Sequence, residues 1–149
     1  MFTFPKKPFS SSKSFTLVEI MIVIVVIMIL ALLSVPQMLR SNITANEATA
    51  ISNLRNMYTA LQMYYVDNTR AYPIQLIDLA RYISPELAAG SKSGYNFSYL
   101  RVNEDMFYVN ADPRTPGRTG NRYFYLDETN ILKYATGGQA SATDPPVSE

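Results

Sequence analysis

Glu19 is an acidic side chain inside a long apolar stretch near the N-terminus. Residues 15 to 35 read FTLVEIMIVIVVIMILALLSV, with Thr16 and Ser34 as the other polar positions. A carboxylate inside a bilayer costs about 2.5–3.5 kcal/mol at the centre and less near an interface. A positive partner would offset this cost, and a cut before Phe15 would create one, a free α-amino group. The alternative interpretation is that Glu19 reaches back to the lipid headgroups.

Four aspartates are the candidate metal ligands in this sequence. Their carboxylate oxygens suit calcium, but their spacing matches no calcium loop, so we expect neither a metal site nor a cofactor. They are Asp105, Asp112, Asp127 and Asp144. The eleven tyrosines all lie at or after Tyr58, and we expect them to fill the interface between helix and sheet and to decorate the strands. The alternatives are that tyrosine rings on the surface stack on a ligand, or that the spacing of the rings lets them carry charge along a filament.

Composition argues against an enzyme. The chain has no histidine and no cysteine, so the commonest general base, the commonest metal ligand and any disulfide are missing. We therefore expect no catalytic residue. From Phe15 onward there are 10 basic and 12 acidic residues, a balance of 10 − 12 = −2. No basic stripe is present in this part of the sequence, and we expect no nucleic-acid partner.

The apolar stretch is long enough to cross a membrane. Its 21 residues would span about 30 Å as a helix, the thickness of the hydrocarbon core. A removable signal peptide is the alternative, but its apolar part is usually shorter and ends in a small-x-small cleavage site, which this sequence lacks. Lys6, Lys7 and Lys13 precede the stretch and Arg40 follows it, which favours a cytoplasmic N-terminus.

The residues around this start resemble a known family. Lys13-Ser14-Phe15-Thr16-Leu17-Val18-Glu19, followed by the apolar run, resembles the class III signal of type IV pilins and type II secretion pseudopilins. The resemblance covers residues 13 to about 40. Pro36 stands where many pilins have a helix-kinking proline.

This resemblance implies a processing pathway. Prepilin peptidase would cut between Ser14 and Phe15 and methylate the new N-terminus at Phe15, and Glu19 would pair with the amine of a neighbouring subunit. The family pattern has glycine before the cut, where this chain has Ser14. The chain also departs from many pilins in lacking a C-terminal disulfide, and from major pseudopilins in lacking their acidic calcium pattern.

The rest of the sequence predicts an α+β fold, in which a long N-terminal helix packs on a small antiparallel β-sheet, as in pilins. Apolar residues recur every three or four positions from Ala48 to Tyr65, so the membrane helix continues outward, with Pro36 bending it. Period-two patterns after Gly94 predict four strands. The predicted organisation is a leader over 1–14, a transmembrane or filament-core helix over 15–36, the exposed half of that helix over 37–66, a connecting loop with a short helix over 67–93, the sheet over 94–136 and a flexible tail over 137–149.

The functional hypothesis is a structural subunit of a bacterial filament. After cleavage it would wait in the inner membrane, with its N-terminus cytoplasmic and its C-terminal domain periplasmic. Inner-membrane assembly machinery would then add it to a helical fibre made of itself and other pilin-like subunits. We favour a type IV pilus, with a type II secretion pseudopilus as the alternative. Two further alternatives are a membrane-anchored binding module that never polymerises and a membrane-tethered enzyme.

Overall fold

The computed structural model describes residues 14–68 and 70–147, with the backbone alone for residues 33–36. The chain divides into two units, residues 1–37 and residues 38–149. The leader predicted over residues 1–14 lies outside the described residues except for Ser14. The kink predicted at Pro36 depends on a side chain that is not described, and it stays a prediction.

A single long helix, α1, spans Leu17–Asp67, which confirms the predicted N-terminal helix. Neither glycine nor proline occurs between residues 37 and 66, so nothing in the local sequence ends the helix earlier. In the first unit the described side chains of this helix are exposed. In the second unit one face of the helix is buried.

The buried face of α1 packs on the inner face of the sheet. At its centre, Leu54, Met57 and Leu61 have no exposed surface. They meet strand residues that alternate along the sequence, among them Phe97, Phe107, Val109, Phe124 and Leu126. This face lies close to the predicted stripe, but it also includes Ala50, Met57 and Ala60, and it leaves out Ala48, which is exposed.

The sheet is a five-stranded antiparallel meander in the order β1-β2-β3-β4-β5. Its strands are β1 Ser91–Lys92, β2 Tyr95–Arg101, β3 Phe107–Pro113, β4 Arg122–Asp127 and β5 Lys133–Thr136. The predicted count of four strands is wrong by one, because β1 lies in the segment that we assigned to the connecting loop. Its two polar residues are too few to show a period. The antiparallel sheet itself is confirmed.

Two short helices fill the connection between α1 and the sheet. A 3₁₀ helix spans Leu76–Arg81 and a second α-helix, α2, spans Pro85–Ala88. One short helix was expected in the connection over residues 67–93. The buried side chains of Leu79 and Leu87 anchor this connection to the core.

The C-terminal segment folds back along β5. The backbone N–H of Val147 donates to the carbonyl of Leu132 at 2.8 Å, and Tyr134 N–H donates to the carbonyl of Pro145 at 3.1 Å. Ala140 is buried. Residues 137–147, which we expected to form a flexible tail, therefore have backbone and packing contacts. Their mobility stays a prediction.

Candidate processing and assembly site

The predicted cleavage site lies immediately before α1. Ser14, Phe15 and Thr16 are not helical, and all three are exposed, Phe15 by 73%. A peptidase needs an accessible segment that can adopt an extended conformation, and three non-helical residues before the first helical turn provide one. Ser14 and Phe15 on the two sides of the predicted cut are thus exposed and outside the helix.

Thr16 caps the N-terminus of α1. Its Oγ1 accepts a hydrogen bond from the backbone N–H of Glu19 at 3.2 Å, and its carbonyl accepts one from Ile20 N–H at 3.3 Å. The order Thr-x-x-Glu is the sequence signature of a capping box, in which the acid stands at the third helical position. The structure shows one half of this motif, in which the backbone N–H of Glu19 donates to the Thr16 hydroxyl, and sequence reasoning missed this cap although the spacing alone indicates it.

The carboxylate of Glu19 stands in the first turn of α1. The unpaired N–H groups of that turn create a positive potential that favours an acid there. Within residues 14–68 and 70–147, no basic side chain forms an ion pair with Glu19. Among the described residues, the partial positive charge at the start of α1 is therefore what stabilises the Glu19 carboxylate.

The apolar part of α1 has no protein covering it. Its most apolar 18-residue window has a mean hydropathy of 3.1, and none of that window is buried. By length and composition this helix can cross a membrane. An apolar surface of this size needs lipid or other protein chains around it.

The four aspartates do not come together. Asp105 accepts a hydrogen bond from the Tyr65 hydroxyl, while the carboxylates of Asp112, Asp127 and Asp144 accept hydrogen bonds from Gln139, Thr129 and Ser141. Within the described part of the chain, no group of three or more acidic side chains is placed to hold a metal ion. Each of these carboxylates instead stabilises its own turn or neighbouring segment.

Sequence reasoning missed Glu47, a buried acid that joins α1 to the sheet. It lies in the second unit and is only 6% exposed. Its Oε1 accepts hydrogen bonds from the backbone N–H groups of Asn121 at 2.8 Å and Arg122 at 3.2 Å. Its Oε2 accepts one from Nε of Arg122 at 2.7 Å. This single carboxylate fixes the connection between β3 and β4 against α1.

Most tyrosines belong to the core, as expected. Eight of the eleven are buried in it or packed against it: Tyr58, Tyr64, Tyr65, Tyr72, Tyr82, Tyr95, Tyr99 and Tyr134. Tyr108 and Tyr125 instead stack on each other on the opposite face of the sheet, with their ring centres 5.8 Å apart. The Tyr95 hydroxyl donates to the carbonyl of Arg122 at 2.8 Å, and burial raises the pKa of Tyr95 well above its ordinary value.

Known proteins are similar to this chain both in its N-terminal segment and over most of its length. The family described as "Prokaryotic N-terminal methylation motif" matches residues 9–35. The chain is 31% identical over 135 residues to the type II secretion system core protein G of Aeromonas hydrophila, a match that covers 87% of each chain. The chain belongs to the family of type IV pilins and type II secretion pseudopilins. Its long helix and antiparallel sheet are therefore those of a pilin-like subunit.

Two further relatives represent the two branches of this pilin family. The core protein G of Pectobacterium carotovorum subsp. carotovorum is 43% identical over 113 residues, covering 72% of this chain and 70% of that protein. The type IV major pilin protein PilA of Myxococcus xanthus is 30% identical over 87 residues, covering 58% of this chain and 37% of that protein. No solved structure matches the chain.

Proposed function

We propose that this pilin-like subunit forms the body of a pseudopilus of the type II secretion kind. Extent of similarity favours this assignment, since relatives named for type II secretion match over most of both chains. A type IV pilus, which we favoured from sequence, is the second candidate. The match to the major pilin of Myxococcus xanthus supports it over a shorter region.

Processing is the first step of the proposed function. Prepilin peptidase cuts between Ser14 and Phe15 and methylates the new amino group of Phe15. The observations that support this step are the match to the methylation motif over residues 9–35 and the exposed, non-helical segment at the bond. The mature chain then begins two residues before α1 and keeps the whole apolar helix.

Anchoring and assembly follow from the same helix. Until assembly, the apolar part of α1 holds the subunit in the inner membrane, with the C-terminal domain in the periplasm. In the filament the same surface is buried against the helices of other subunits, so that protein replaces lipid around it. The uncovered apolar side chains between residues 17 and 32 carry this proposal. The protein acts as a structural part of the machinery, without catalysis.

Glu19 would select the position of each incoming subunit. A carboxylate buried among apolar helices is stabilised when it meets a positive group, and breaking such a pair leaves an uncompensated charge. The methylated amine of Phe15 in a neighbouring subunit supplies that group. The capping contact with Thr16 holds the first helical turn in place beside it.

The test replaces Glu19 and follows filament growth. We expect Glu19→Ala to leave the subunit folded and in the membrane but to abolish filaments seen by electron microscopy. Glu86→Ala, at an exposed carboxylate of α2, is the matched control and should assemble normally. Filaments of normal yield from Glu19→Ala would remove the role of this residue.

Two measurements separate the remaining alternatives. Mass spectrometry of the mature N-terminus should find a methylated Phe15, and an intact Met1 would contradict processing. Cross-linking within the membrane helix should give a ladder of oligomers, whereas a non-polymerising binding module would stay monomeric. Deleting the subunit should stop protein export if it serves a pseudopilus, and should remove surface fibres if it serves a pilus.

A further inference from the structure

The segments that connect the strands of the sheet carry charges of opposite sign. Residues 114–122, which connect β3 to β4 and include the first residue of β4, read RTPGRTGNR, with three arginines and no acid; we call them the arginine loop. Residues 102–106 connect β2 to β3 and read VNEDM, and residues 127–131, which begin with the last residue of β4, lead towards β5 and read DETNI. They hold four acids and no base, and we call them the acidic turns.

The meander places these two sets at opposite ends of the domain. In an antiparallel meander, alternate connections lie at alternate ends of the strands, so both acidic turns share one end and the arginine loop lies at the other. The strands between them have six or seven residues, a length of about 20 Å. Charges screened over a Debye length of about 8 Å do not neutralise each other across that distance.

Contacts with α1 give the direction of this charge separation. Glu47 and Asn46 bind the arginine loop through Arg122 and the carbonyl of Thr119. Tyr65 binds Asp105 in an acidic turn at 2.7 Å. Residues 47 and 65 are 18 positions apart, or about 27 Å along a helix. The arginine loop therefore lies beside residues 46–47 of α1, which follow the apolar segment in the chain. The acidic turns lie at the end of the domain where α1 ends.

The arginine loop offers unneutralised positive charge to solvent. Arg114 and Arg118 are exposed, and no carboxylate of the described residues forms an ion pair with either. Arg114 donates a hydrogen bond to the hydroxyl of Ser91, which leaves its charge uncompensated. Arg122, by contrast, is committed to Glu47. Neither Arg114 nor Arg118 has a carboxylate partner among the described residues, so both charges remain for acceptors outside their own subunit.

The acidic turns combine charge with exposed apolar surface. Val102 is 56% exposed, Met106 43% and Ile131 49%. Glu104 has one weak contact, at 3.8 Å to Arg101, and its side chain is 78% exposed. Arginine side chains suit a surface that offers both kinds of group, because their stems cover apolar side chains while the guanidinium reaches a carboxylate.

Building on the proposed function, we propose that the acidic turns of one subunit dock on the arginine loop of the next copy of the same chain. In this proposal all copies have the same orientation along the filament, so the acidic turns of one copy meet the arginine loop of another and never a second set of acidic turns. Such a contact is heterologous, since two different surfaces meet, and repeating it produces an open helical filament. Charge complementarity would also orient the incoming subunit.

Paired charge reversals test this contact in the full-length chain. Arg114→Glu with Arg118→Glu should lower filament yield at least about tenfold, because it places like charges opposite each other. Glu104→Lys with Glu128→Lys should do the same from the other side. Combining all four substitutions in one chain reverses both surfaces and should restore assembly. Arg81→Glu with Glu86→Lys, at exposed positions outside both surfaces, is the control and should assemble normally.

The outcomes separate this contact from the proposed function. A wild-type chain that forms no filament with its assembly machinery contradicts the function itself. Wild-type filaments with undiminished yield from both paired reversals contradict the docking contact alone. Loss in both pairs without recovery in the fourfold variant also overturns the contact, when circular dichroism of each variant in detergent shows an intact fold.

Cysteine cross-linking gives a second test that keeps every charge in place. The chain has no cysteine of its own, so introduced thiols are the only reactive ones. Val102→Cys with Thr115→Cys puts one thiol at each end of the domain, and a short bifunctional reagent should link filaments into a ladder. Ser98→Cys with Thr115→Cys, with one thiol in the middle of β2, is the control. A ladder that is equally strong in the control, or absent in both, overturns the contact.

Discussion

Oε2 of Glu47 accepts a hydrogen bond from Nε of Arg122 at 2.7 Å, joining α1 to the start of β4 across 75 residues of chain. The same carboxylate also binds two backbone N–H groups of this connection. A buried acid with three donors is fully satisfied, and removing it leaves those donors without an acceptor. This contact therefore stabilises the fold and also sets the position of the arginine loop.

Replacing Glu47 should destabilise the domain. We expect Glu47→Ala to lower the free energy of unfolding by about 2–3 kcal/mol, since two backbone donors and a partly exposed guanidinium lose their acceptor. Thermal unfolding of the full-length chain in detergent, followed by circular dichroism, measures the change. Glu86→Ala, at an exposed acid, should stay within about 0.5 kcal/mol of wild type. Equal stability of the two variants would contradict this role of Glu47.

A side chain at position 120 should collide with Tyr95. A Cβ added to Gly120 would lie 2.1 Å from the Tyr95 hydroxyl oxygen and 2.6 Å from Cζ, and Tyr95 is fully buried. We expect Gly120→Ala to cost about 2–3 kcal/mol in unfolding free energy, because the ring must move within a packed core. Gly138→Ala is the matched control, as a Cβ there meets no atom within 4 Å.

A double variant checks that the collision is the cause. Tyr95→Phe removes the hydroxyl that lies closest to the added Cβ, together with its hydrogen bond to the Arg122 carbonyl. Tyr95→Phe combined with Gly120→Ala should therefore lose less stability than the two single changes added together. Strict additivity in chemical denaturation would show that Gly120→Ala acts in another way.

Asp112 should make the folded domain less stable as pH rises. Burial raises the pKa of its carboxyl above the ordinary 3.8, against a smaller lowering by the hydrogen bond from Gln139. The folded state then holds the proton more tightly than the unfolded state. The contribution of Asp112 is therefore most favourable below pH 3.8 and declines as pH rises from there through the folded pKa. Above that pKa the penalty is constant.

Asp112→Asn isolates this effect. The variant should be more stable than wild type at pH 7, where the half-buried carboxyl is charged, and should lose that advantage at about pH 3, where the carboxyl is protonated. Chemical denaturation at the two pH values gives the comparison. A stability difference that does not change between them would contradict the pH effect assigned to Asp112.

The local sequence pattern predicts some elements and contacts of this structure and not others. The helix and the four longer strands follow from apolar periods of 3.6 and two, which depend on neighbouring residues alone. The predicted cleavage site at Ser14 and Phe15 and the acid at Glu19 also rest on neighbouring residues alone. The pairing of Glu47 with Arg122 and the collision of Gly120 with Tyr95 depend on residues that meet only after the chain folds. Nothing in a single sequence marks which polar residue will be buried.

Lys133 should hold the C-terminal segment in place. Its Nζ donates a hydrogen bond to the carbonyl of Ala142 and lies 5.9 Å from the centre of the Tyr125 ring. Lys133→Ala removes both contacts, while the backbone bond from Val147 to Leu132 remains. We expect amide hydrogen exchange to speed up about tenfold across residues 137–144, with little change in the rest of the sheet. Arg81→Ala, at an exposed position of the 3₁₀ helix, should leave that exchange unchanged.

The residue before the predicted cut should limit processing. Ser14 stands where the family pattern has glycine, and its side chain adds a hydroxymethyl group next to the bond that the peptidase must hold in a tight site. Ser14→Gly should therefore raise the rate of cleavage, on the order of tenfold, without changing the fold, because Ser14 is exposed and precedes α1. Mass spectrometry of membrane fractions, taken at intervals after expression begins, measures the ratio of mature to full-length chain. Ser12→Gly, two residues further from the bond, is the control. An unchanged ratio for Ser14→Gly would mean that the peptidase accepts serine as readily as glycine.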